Sequence, residues 1–228
     1  MHCLQKAGGI AALLQAATFV VGFVLFVTLI ASADYGNLDI DPTEQVEFLA
    51  DNQAIMYTWH LIVYVAFGAF LVVLALALYE RLKAGSPAMS QTATAFGLIW
   101  ATLVIATGMV ENIGAGMVVD LHDQGSAQAV PVWLSLAFVT DGLGGGNEIV
   151  GGLWVLLVSW AALRTGALPT ALNYLGVVAS VAGILTVVPA LGDVGGAVFG
   201  LGLIGWFFWL GIVLLRSDLA KTAHTESG

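Results

Sequence analysis

Apolar residues run through this chain in long blocks, and polar residues gather in short clusters between them. The blocks cover roughly residues 8–30, 54–79, 92–119, 144–163, 169–189 and 196–215. Each approaches or exceeds the ~20 residues that a helix needs to cross a hydrocarbon core about 30 Å thick. Strands of a membrane barrel are only about ten residues long and alternate in polarity, so the backbone constraint in lipid leaves helices. The pattern predicts an all-α, polytopic membrane protein with six transmembrane helices, forming one transmembrane domain over residues 1–228.

Two interruptions predict short helices on the outer side. In the loop at 34–53, Asp41-Pro42-Thr43-Glu44 supplies an N-cap, a proline at N1 and a glutamate at N3, the signature of a capped helix start. A short interfacial helix is expected from Pro42 to about Asp51. The apolar stretch 129–140 is too short to span and reads as an interfacial or re-entrant segment. The glycines after it are expected to be non-helical and covered by protein or water. Ala31-Ser32-Ala33 resembles a signal-peptidase site, but the run before it exceeds the 7–15 residues of a signal core, so it is read as the first span. Gly192, Gly196 and Gly200 recur every four residues, a spacing that lets membrane helices pack closely.

Charge sets the orientation. Lys6, Arg81, Lys83, Arg164, Arg216 and Lys221 all fall before, between or after pairs of apolar runs, and the alternate loops carry only acids. The positive-inside rule then places both termini in the cytoplasm. With 59% hydrophobic and 9% charged residues, the chain lies far from the soluble norm of about 25% charged. The net charge of −9 argues against nucleic acid as a partner. The one cysteine, Cys3, excludes an internal disulfide.

Candidate chemistry comes from ionisable groups inside the apolar blocks, since a charge in lipid marks function by default. The stretch Asp141 to Gly152 contains Asn147 and Glu148, and a straight helix would put Asp141, Gly144, Gly145, Glu148 and Gly152 on one stripe. Tyr57, His60 and Tyr64 share a face of the second span, and Glu111 and Asn112 lie late in the third. His122, in the loop that follows, is expected in solvent. His60, Glu111, Asp141 and Glu148 all map toward the outer leaflet, and convergence would relieve the several kcal/mol that each isolated charge costs.

Such a pocket would bind a cation or small ligand from the outside, with Tyr57, His60, Tyr64, Glu111, Asn112, Asp141, Asn147 and Glu148 around it. His60, Glu111 and Glu148 are the candidate ligands for a divalent metal ion. Two other readings stay open: a metal-dependent intramembrane hydrolase, and an accessory subunit whose glycine faces bind a second copy or another membrane protein. No lysine lies in a span, which excludes a retinal Schiff base. With His60 the one well-placed intramembrane histidine, the sequence argues against bis-histidine haem within the chain.

Short motifs carry a resemblance. Phe48-Leu49-Ala50-Asp51-Asn52 before a span that closes Leu78-Tyr79-Glu80-Arg81-Leu82-Lys83, then Val110-Glu111, Leu168-Pro169, Leu175-Gly176 and Ala182-Gly183, resemble the bacterial membrane-protein family catalogued as domain of unknown function 4386. The resemblance implies a six-helix fold in a bacterial inner membrane, and it implies no activity.

Overall fold

The computed structural model describes residues 2–37, 39–145 and 147–226, with the side chains of 2, 144, 145, 147, 189, 193 and 217–226 outside the description. Every regular element among them is helical: α1 (His2–Leu25), α2 (Pro42–Asp51), α3 (Gln53–His60), α4 (Phe67–Leu82), α5 (Pro87–Asp123), α6 (Ala129–Thr140), α7 (Asn147–Thr165), α8 (Thr170–Leu185) and α9 (Gly192–Glu226). Among the described residues, five helical stretches are long and apolar enough to cross a membrane: Cys3–Ala33, Gln53–Leu82, Pro87–Asp123, Ala129–Thr165 and Val194–Arg216. The apolar helix Thr170–Leu185 is shorter, 16 residues, or about 24 Å at the helical rise.

Several expected boundaries moved. α5 is 37 residues, about 55 Å long, because Pro87 at its first turn and Gly125 (φ +65°) just beyond its end set its limits rather than the apolar run. The glycines after Thr140, expected to break the helix, form a π-helical turn over Asp141–Gly145. The regular spacing behind the proposed Asp141-to-Gly152 stripe is therefore not kept.

The chain divides into two compact units. The first contains Met1–Ala17, Gly68–Thr102 and Gly146–Gly228, and the second contains Thr18–Phe67 and Leu103–Gly145.

In the first unit, Trp154, Trp206, Phe207, Leu74, Leu172 and Leu210 are fully buried. Trp154 meets Trp100 and Trp206 with ring centroids 5.7 Å apart in each case. Glycine sets the helix spacing at the rim. A methyl on Gly211 would lie 2.9 Å from the Gly9 carbonyl, and one on Gly9 3.2 Å from that of Gly211, so α1 and α9 touch through their backbones. The turn between α7 and α8 forms where Gly166 takes a left-handed conformation (φ +65°), which costs glycine little. Arg81 of α4 fixes that turn, donating to the Ala167 carbonyl from Nε at 3.2 Å and Nη2 at 2.9 Å. Phe208 and Trp209 face outward, whereas Trp206 and Phe207 pack inside. Asn173 is buried and donates to the Leu168 carbonyl, while Tyr174 is exposed. The Gly192, Gly196 and Gly200 stripe, expected to pack, has nothing within 4 Å of its missing methyls; Gly195 and Gly202 make the close approaches instead.

In the second unit, α2 forms where its capping sequence predicts. Asp41 accepts from the Thr43 N–H at 2.9 Å, and that bond holds its carboxyl below the usual carboxylate range. A depressed folded-state value makes the cap strongest above the ordinary carboxylate pKa, and its contribution is lost as pH falls through the lowered one. Val46 and Leu49 are buried in one apolar cluster with Ile30, Met56, Val118 and Trp133. Gln45 ties the preceding loop down, accepting from the Gly36 N–H at 2.8 Å and donating to the Asp34 carbonyl at 3.3 Å. His122, expected in solvent, is half-buried.

Candidate functional site

In the second unit α5 packs beside His60 and Tyr64 on one flank and beside Leu136 of α6 on another. Gly108 makes the first approach, because a methyl there would lie 2.6 Å from the Tyr64 Cβ and 3.4 Å from the His60 carbonyl. One turn further on, the same face of α5 presents Asn112, and His60 Nδ1–H donates to its Oδ1 at 3.2 Å. Gly114, on the other flank of α5, packs against Leu136 of α6. Glu111 lies between these two contact lines by helical position, with the Thr140 hydroxyl and the Asp141 carboxylate as its neighbours.

Aromatic rings surround the polar groups. His60 packs 5.2 Å from Trp59 and 5.9 Å from Tyr64, centroid to centroid. Trp59 is held by its indole N–H, which donates to the Gly22 carbonyl at 3.3 Å. On the loop after the first span, Tyr35 stacks 4.9 Å from Phe48 and accepts from the Trp133 indole at 3.3 Å. Burial pushes the Tyr35 phenol up to about 12; the Trp133 hydrogen bond opposes that rise, and the nearby Glu111 charge adds to it.

Three π-helical turns mark the described chain, at Phe26–Ile30, Leu61–Ala66 and Asp141–Gly145, and all three belong to the second unit. One starts directly after His60 and another starts at Asp141. Such turns are rare and are found frequently at functional sites.

The predicted residues divide accordingly. His60, Asn112, Tyr64, Glu111 and Asp141 belong to the second unit with the contacts described. Tyr57 does not join them: it is 51% exposed, and Trp59 takes the place beside His60. Glu148 belongs to the first unit, where Gly183 packs against its main-chain carbonyl and its Oε2 is buried without a hydrogen-bond partner among the described residues. The Asn147 side chain lies outside the described residues. No three His, Cys, Asp or Glu side chains among the described residues come together to hold a metal ion, so the ion-centred grouping of His60, Glu111 and Glu148 finds no support. Tyr35 and Thr140 were missed, since a loop tyrosine and a helix-end threonine carry no signal until the chain folds.

Fold and site together define an all-α, multi-pass membrane-helix protein with ionisable side chains inside its spans. The chain belongs to the family described as a domain of unknown function, DUF4386, whose match covers residues 7–213. No curated protein and no solved structure matches it.

Proposed function

We propose that this is a six-span inner-membrane protein, both termini cytoplasmic, that binds a small cationic ligand from the outer side through Glu111 and its neighbours in the second unit. The observation that carries this reading is a charge imbalance. All six Lys and Arg residues belong to the first unit, and ten of the fifteen acids, Glu111 and Asp141 among them, belong to the second. A carboxylate that stays ionised inside a span needs a counter-charge, and the unit that contains Glu111 supplies no Lys or Arg. A cation from outside would meet that need, and the acidic loops at 34–53 and 120–123 would raise its local concentration.

The count of six takes the shorter α8, with the apolar Val187 and Val188 of the turn after it, as the fifth span in chain order, and the orientation rests on the basic residues of the turns and termini. The lone Cys3 is exposed and makes that orientation testable. In intact cells a membrane-impermeant maleimide should leave Cys3 unlabelled and react after lysis. In the Cys3→Ser background, a cysteine placed at Glu47 should label without lysis. Labelling of Cys3 from outside would reverse the topology.

Binding is tested by calorimetric titration of detergent-purified protein with potassium, magnesium and tetramethylammonium chlorides. At least one should bind, and Glu111→Gln, which keeps the side-chain shape, should weaken that binding at least tenfold at unchanged thermal stability. Binding of none of the three, or equal affinity in the variant, would remove the assignment.

A further inference from the structure

We infer that α2 is a hinged lid over the His60 and Asn112 pair, latched shut by Gln45 and Tyr35, and that its lifting controls entry to the site. The ligand rests on the cation-binding reading above. The lid itself rests on packing and hydrogen bonds within the second unit.

The cover lies directly beside the pair. α3 leads through α4 into the turn before α5, so α3 and α5 run in opposite directions, with His60 Nδ1 and Asn112 Oδ1 3.2 Å apart between them. Met56 comes one turn before His60 and Ala115 about one turn after Asn112, so both lie on the same side of that contact, about 5 Å along each axis. Both are buried in one cluster with Val46 and Leu49 of α2, Ile30, Val118 and Trp133. A ligand moving between α3 and α5 from the Asp123 end meets that cluster, with α2 upon it, before it reaches the pair.

The joints and fastenings of α2 suit a part that lifts as one body. Asp41 closes its first turn with its own side chain. A single residue, Asn52, separates it from α3 and is non-helical at φ −115°, ψ 16°. On the other side the chain turns at Asp34 (φ +48°) and Gly36 (φ +89°). Val46 and Leu49 are its apolar anchors, and two side chains latch it. Gln45 is 1% exposed and bonds to the Gly36 N–H and the Asp34 carbonyl. Tyr35 stands between α2 and α6, with its ring 4.9 Å from Phe48 and its oxygen 3.3 Å from the Trp133 indole nitrogen. Water can replace each latch bond when α2 lifts, while the backbone bonds of α2 stay within the helix. Glu44, Glu47 and Asp51 line its exposed face, so lifting releases apolar contacts on one side alone.

Cysteine reactivity in detergent-purified, full-length Cys3→Ser protein tests the lid. Met56→Cys and Val118→Cys place reporters in the covered cluster on two different helices. Val104→Cys places a buried control in the same unit, outside that cluster. Both reporters should react with a water-soluble maleimide at least about tenfold faster than the control, because local opening needs less free energy than unfolding. Gln45→Ala removes two bonds and should speed both reporters about tenfold more at unchanged melting temperature, and Tyr35→Phe, which removes one, about threefold. Glu47→Ala, on the exposed face, should leave both rates within about twofold of the parent. Reporters no faster than Val104→Cys would make α2 a fixed part of the fold, and acceleration of one reporter without the other would mean local fraying; either result overturns the lid. The cation titration fails separately. Binding of none of the three salts removes the ligand reading and leaves the cysteine rates as they are, whereas a bound cation that exchanges equally fast in Gln45→Ala and the parent would overturn control of entry by α2.

Discussion

Trp154→Ala should destabilise the protein by about 3 kcal/mol, the low end of the range for removing a large aromatic side chain from a packed core. Trp154 is fully buried and sits among Trp100, Trp206 and Phe207, with centroid distances of 5.7, 5.7 and 6.4 Å. The low end applies because lipid tails are as apolar as the protein interior, so little transfer energy separates the two. The cost is mainly the cavity and the lost dispersion contacts. Trp154→Phe should cost much less. The indole Nε1 is buried with no hydrogen-bond partner among the described residues, so removing it also removes an unsatisfied donor. Unfolding in mixed micelles of dodecyl maltoside and increasing SDS measures both. Equal losses for the two variants would mean that the indole nitrogen has a partner in the membrane.

The all-α class and the presence of helices long and apolar enough to cross a membrane were legible because lipid permits few solutions. A run of apolar residues longer than a bilayer is thick has to be a helix, and the cap at Asp41 predicts α2 from four residues. The faces of those helices were less legible. A π-turn closes its hydrogen bonds over five residues instead of four and shifts every later side chain around the axis. No composition marks it in advance. The turns at Leu61–Ala66 and Asp141–Gly145 therefore lie outside any reading that assumes 3.6 residues per turn. Tyr57 shows a related limit. Its spacing from His60 put the two on one side, yet His60 is 3% and Tyr57 51% exposed, because the packing edge falls between them. Glu148 stood out correctly as an acid in an apolar run. Its placement in the first unit depends on where the chain divides, which periodicity does not encode.

Glycine spacing gives the second large effect, with opposite signs at two sets of positions. A methyl on Gly152 would lie 2.9 Å from the Ser180 carbonyl and 3.3 Å from the Ile184 nitrogen, and one on Gly183 would lie 2.8 Å from the Glu148 carbonyl. These are main-chain atoms of the α7–α8 pair, so neither contact can be relieved by rotating a side chain. Overpacking of this kind costs about 1–3 kcal/mol, and Gly→Ala in a helix interior returns about 0.5–1 kcal/mol. Gly152→Ala and Gly183→Ala should each destabilise by about 1–2 kcal/mol. Because both enlarge the same interface, the double variant should depart from the sum. Gly196→Ala and Gly200→Ala meet nothing within 4 Å, and there the helix term acts alone, giving up to about 1 kcal/mol of stabilisation. The same micelle titration reads all five variants, and size-exclusion chromatography reads their assembly. A loss at Gly200 equal to that at Gly152, with a smaller assembled size, would place a second protein against the stripe; a loss without a change of size would mean that α9 packs through a different face.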